Sequence, residues 1–87
     1  MATPYIEDRE VIRLWLKHRY EQQGFSVREF AEALAMSQNG VHRWLRDGVP
    51  VPPKYWPGIT RFFGYSDEAH LLAKGRELIR SGAIVAA

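Results

Sequence analysis

Gln38, Asn39, His42, Arg43 and Arg46 fall within nine residues, and each can hydrogen-bond a base edge or a phosphate. Set on a helix at about 100° per residue, they fill a sector of roughly 0° to 140° counted from Gln38. Val41, Trp44 and Leu45 fall at roughly 240° to 340°, so the segment divides into a polar face and an apolar face. A polar face alone needs no more than a solvated helix side. This one contains no Asp or Glu, and its residue types suit base reading: Arg bonds guanine through two donors, and Asn or Gln bonds adenine. Asp47 enters only where the face has ended. The chemistry implied is recognition of nucleic acid by hydrogen bonding.

Other chemistries find little support. The absence of cysteine excludes a disulfide scaffold, a thiolate zinc site and a Cys nucleophile. His18, His42 and His70 are spread along the chain without an H-E-x-x-H pairing, so no metal is expected. Gly75 precedes Arg76 without the glycine-rich run of a phosphate loop, and no cofactor is expected. A chain of 87 residues in short helices is expected to offer no concave pocket, which argues against an enzyme. The longest apolar stretches, such as Ala83 to Ala87, fall far short of the ~20 residues that span a bilayer, so no membrane partner is expected. With no secretion signal at the N-terminus and no cysteine, the expected location is the cytoplasm.

The polar face must be held by other elements, and their boundaries are legible. A first helix is predicted from Thr3 or Asp8 to about Gln22, burying Val11, Ile12, Trp15, Leu16 and Tyr20 and exposing Arg9, Arg13 and Lys17. Ser26 and Glu29 have the spacing of a capping box, and Phe25 with Phe30 that of a hydrophobic staple, so a short helix is predicted to near Ala35. Met36-Ser37 reads as a turn, with Ser37 capping a helix that reaches Arg46 and stops before Gly48. Two helices about three residues apart have helix-turn-helix spacing. Pro50, Pro52, Pro53 and Pro57 fill one connection, after which a helix is predicted to Phe63, closed by Gly64. Tyr55, Trp56, Ile59 and Phe62 or Phe63 are expected in the core. Ser66-Asp67-Glu68 caps a last helix to about Arg80. The expected fold class is all-α: one compact domain over residues 1 to 87, with five helices and no strand.

Charge is distributed in a way that the total conceals. Residues 1 to 23 carry four basic and four acidic side chains and residues 65 to 87 three of each, so the net +2 lies wholly in residues 24 to 64. Lys54, in this basic segment, is a candidate phosphate contact.

Residues 26 to 48, SVREFAEALAMSQNGVHRWLRDG, resemble the helix-turn-helix of the lambda-repressor-like (Xre and Cro) family of transcriptional regulators. The likeness rests on Phe30-Ala31 and Leu34, Met36-Ser37-Gln38 at the turn, and Val41 with Trp44-Leu45. It implies a five-helix domain in which Gln38, Asn39 and Arg43 face base edges in the major groove, with His42 at the margin, and Ser37 and Arg46 reach phosphates. Val27 stands where many relatives have a backbone-contacting Gln, so that contact is absent or is replaced by Arg28. Ala35 stands where relatives usually have glycine, and must tolerate the turn or shift the helix end. Residues 50 to 64 are also similar to the segment that follows the motif in YdaS-type antitoxins.

The implied function is sequence-specific binding of double-stranded DNA by a transcriptional regulator, a repressor that occupies a palindromic operator as a homodimer. Residues 66 to 87, with Leu71, Leu72, Leu78, Ile79, Ile84 and Val85, form the candidate dimer interface or pack on the first helix. Two alternatives stand beside it. One is a protein-interaction module or antitoxin-type adaptor on the same fold. The other is an excisionase or MerR-like winged helix, which requires a β-hairpin after Gly48.

Overall fold

The computed structural model describes residues 5 to 85, so the possible helix start at Thr3-Pro4 lies outside the described residues. Five helices follow one another: α1 (Asp8–Gln23), α2 (Val27–Ala33), α3 (Gln38–Leu45), α4 (Trp56–Phe63) and α5 (Glu68–Arg80), with a 3-10 turn at Pro53–Tyr55 leading into α4. No strand occurs among the described residues, so the wing required by a winged helix is missing; the proline-rich connection runs into the 3-10 turn instead.

The caps form where polar side chains precede apolar periodicity. Ser26 Oγ accepts the Glu29 N–H at 3.1 Å, Ser37 Oγ accepts the Gly40 N–H at 3.1 Å, and Asp67 Oδ1 accepts the His70 N–H at 2.8 Å. Each bond satisfies an amide that the helix itself leaves free. The staple also forms, with the Phe25 and Phe30 rings 5.1 Å apart.

Helix α2 ends at Ala33, two residues before the expected point, because Ala35 turns left-handed at φ 53°. The Met36 N–H then reaches the Ala31 carbonyl at 3.0 Å, and the Ala35 N–H reaches that of Glu32 at 3.1 Å. This is the Schellman pattern, which satisfies carbonyls at the helix end. Helix α4 closes in the same way, the Tyr65 N–H bonding the Thr60 carbonyl at 2.9 Å, with Gly64 in the left-handed position at φ 78°.

Helix α1 is the spine: it packs along α5 and also against α3, while α2 packs on α3 and α4, and α4 on α5. Its buried face is Val11, Ile12, Trp15 and Leu16. Tyr20 is more exposed than expected, with its ring edge-on to Phe25 at 5.2 Å. Arg13, expected on the solvated side, is largely buried and paired with Glu10. The core joins this face to Phe30, Val41, Trp44, Leu45, Val51, Ile59 and Leu71, with Tyr55, Trp56, Phe62 and Phe63 partly buried against it.

Two contacts set the α1 flanks. A Cβ on Gly75 would lie 2.7 Å from Val11 Cγ1, so only glycine lets α5 approach this closely. Arg76 bonds the Asp8 carboxylate at 2.6 Å and the Ile6 carbonyl at 3.0 Å, tying the chain ahead of α1 to α5. The Cα radius of gyration is 12.4 Å, against about 12 Å expected of a compact chain this long. No described helix is long and apolar enough to cross a membrane.

Candidate nucleic-acid interface

Helix α3 presents its polar face because its apolar one is taken. Val41, Trp44 and Leu45 are buried in the core, whereas Gln38, Asn39 and Arg43 are exposed. On a helix of eight residues, that burial fixes rotation about the axis: turning the polar side inward would strip three large side chains from the core. At about 25 cal/mol per Å2 of apolar surface, each is worth ~1.5 to 3 kcal/mol of burial. The opposite terminus is set by Ser37, whose hydroxyl, while accepting from Gly40, retains its own proton as a donor.

Arg46 falls just past the helix as its C-cap residue, one position earlier than expected for the helix end, and it is exposed. The chain then leaves α3 through Gly48 at φ 73°, a left-handed conformation for which glycine carries no Cβ penalty. Val51 next plugs into the core: its N–H bonds the Arg9 carbonyl at 3.3 Å, and its carbonyl accepts the Trp56 indole N–H at 3.0 Å. The first bond anchors the connection to α1 and the second ties it to the start of α4.

Lys54 is brought to the same region through two aromatic rings. The Trp44 and Tyr55 rings meet edge to face at 5.1 Å, and Lys54 Nζ lies 5.0 Å from the Tyr55 ring centroid. The cation is thereby held one aromatic ring away from Trp44 of α3. Arg28 is placed differently. It is exposed on α2, its Nε 3.3 Å from Glu32 Oε1, in a pair with both side chains mostly in water. Such a pair contributes ~0 to 1 kcal/mol, so Arg28 is free to leave it, but the neighbouring carboxylate lowers its value to an anion.

His42 lies at the edge of the face, as its position on the wheel requires. Its side chain is half-buried, and Nδ1 is buried without a hydrogen-bond partner among the described residues. The ring therefore offers less of its bonding capacity outward than Gln38, Asn39 or Arg43. No cluster of three His, Asp or Glu side chains that could hold a metal ion occurs among the described residues.

Sequence reasoning missed the positioning residues more than the presenting ones. Tyr55 supports Lys54, Val51 anchors the connection, and Gly40 makes room for Met36, whose Cε would lie 2.6 Å from a Cβ there. A glycine inside an eight-residue helix is the one local signal that could have pointed to such a close approach. The expectation of no concave pocket is also corrected: a cleft of about 390 Å3 opens between α1, α4 and α5. In comparisons with protein-family models, curated proteins and solved structures, none matches the chain.

Proposed function

We propose that the chain is a sequence-specific double-stranded DNA-binding transcriptional regulator that inserts α3 into the major groove and acts as a repressor. One observation carries the reading: α3 exposes Gln38, Asn39 and Arg43 without an acid among them while its other side is locked in the core. Arg43 is assigned to guanine, and Gln38 and Asn39 to adenine or to a neighbouring phosphate. Ser37, Arg46 and Lys54 are assigned to backbone phosphates, with His42 and Arg28 as secondary contacts at the margins. The lambda-repressor-like resemblance supports the same assignment.

One short helix reads too few base pairs for a unique site, so binding is proposed to be dimeric, on a palindrome with half-sites about one helical turn apart. Leu71 and Ile84 are already buried in the protomer and Leu72 and Leu78 pack against the core, which leaves Ile79 and the exposed Val85, of the candidate interface residues, available to a second copy.

The test is selection of binding sites from random duplex DNA, repeated across a salt series. A two-fold-symmetric motif with affinity falling steeply as salt rises supports the regulator, because neutralised phosphates release counterions. Retention of no DNA, or retention indifferent to salt, refutes it in favour of a protein-interaction module.

A further inference from the structure

We propose that the cleft between the C-terminal half of α1, the end of α4 and α5 is a binding site for a small aromatic carboxylate. This site goes beyond the DNA reading and does not depend on it: no residue of α2 or α3 lines the cleft. Its volume of about 390 Å3 lies at the lower end of the range for small-molecule sites.

The walls specify the ligand class. Phe63 and Tyr65, both partly buried, form an aromatic side backed by the core Trp15, whose ring lies 5.0 Å from Phe63 and 5.5 Å from Tyr65, both edge to face. The charged lining is basic throughout: Arg19 and Lys74, with His18 and His70 beside them, and no Asp or Glu lines the cleft. Gln22 and Gln23 add amide donors. A neutral aromatic would cover the rings but leave Arg19 without a carboxylate partner, whereas inorganic phosphate would match the cations and leave the rings uncovered. An aromatic carboxylate meets both.

The cations have capacity to spare. Arg19 Nη1 donates to the Gly24 carbonyl at 3.1 Å and its guanidinium lies 5.4 Å from the Phe63 centroid, which positions the group and leaves further N–H donors. Lys74 has Glu77 at 3.8 Å, an exposed pair that a bound carboxylate can displace. The adjoining cleft, about 270 Å3, shares His18 and Gln22 but is also lined by Glu21 beside Lys17. A carboxylate of its own disfavours an anion there, so the anion is assigned to the first cleft.

The test uses the full chain titrated with naphthoate, its neutral counterpart naphthalenemethanol, and inorganic phosphate, followed by amide proton–nitrogen correlation spectra. The expected result is saturable shifts centred on Gly64, Tyr65, His70 and the Trp15 indole, with the alcohol binding about ten-fold more weakly or worse, as loss of a charge-assisted hydrogen bond requires. Lys74→Gln is expected to weaken naphthoate by about ten-fold and Arg80→Gln, outside the lining, to leave it unchanged. The spectrum of each variant reports its fold directly. Absent shifts, shifts scattered over surface basic residues, equal binding of the alcohol, or displacement of naphthoate by phosphate at comparable concentration would each overturn the proposal.

Discussion

Replacing Ala35 with glycine is expected to stabilise the protein, although glycine usually does the opposite. Ala35 sits at φ 53° in the turn between α2 and α3, where an L-residue's Cβ crowds the following carbonyl at a cost of ~1 to 2 kcal/mol. Glycine removes that cost but loses ~0.4 to 1 kcal/mol to the greater freedom of its unfolded chain. The Ala35 methyl is exposed, so its deletion forfeits almost no burial. The balance is a gain of ~1 kcal/mol, which in a domain this small raises Tm by about 4 to 8 °C. The assay is thermal unfolding followed by far-ultraviolet circular dichroism, with Ala33→Gly as the control. Ala33 is the last residue of α2 and also exposed, so glycine there loses up to ~1 kcal/mol of helix propensity. Gly64→Ala at the matching position after α4 is expected to lose stability by a similar amount. If Ala35→Gly lowers Tm alongside Ala33→Gly, the left-handed turn is not where the chain stores its strain and the reasoning fails.

Three further outcomes are expected. Arg43→Ala relaxes the selected DNA motif at one position in each half-site and costs about 1 to 3 kcal/mol, whereas Lys54→Ala weakens all sequences alike and reduces the salt slope by about 1; an unchanged motif with Arg43→Ala refutes the base assignment. Ser37→Asp retains a capping oxygen and hence the unfolding midpoint, but sets a negative charge beside phosphate and weakens DNA retention; undiminished retention would move Ser37 out of the interface. Gly75→Ala forces a methyl to 2.7 Å from Val11 Cγ1, an overpacking of ~1 to 3 kcal/mol offset by up to ~1 kcal/mol of helix propensity, so denaturant unfolding is expected to show a net loss; a gain would mean α5 can move away freely.

Features governed by near neighbours were legible in the sequence. The caps at Ser26, Ser37 and Asp67 are each decided within three residues, and the polar and apolar faces of α3 follow from helical spacing alone. Features governed by distant partners were not. Arg13 reads as solvated by periodicity and is instead largely buried against Glu10; Val51 reads as linker and is instead a fully buried plug. The glycine at position 75 has a reason only once α1 lies against it. Helical spacing placed Gln38, Asn39 and Arg43 on the exposed side of α3, while the position of Lys54 depends on Trp44 and Tyr55 meeting across the proline-rich connection.

The clasp of Arg76 on Ile6 and Asp8 joins residues 70 and 68 positions apart. A contact this far apart in sequence carries a larger loop-closure entropy than the local ones within α1 to α3. On the ribosome, α1, α2 and α3 emerge with their mutual contacts available, but the α1 flank at Val11 stays bare until α5 has been made. The nascent α1 to α3 segment therefore lacks the α5 side of α1 until synthesis reaches the last helix, and shortening the chain ahead of α5 would leave Val11 without its cover.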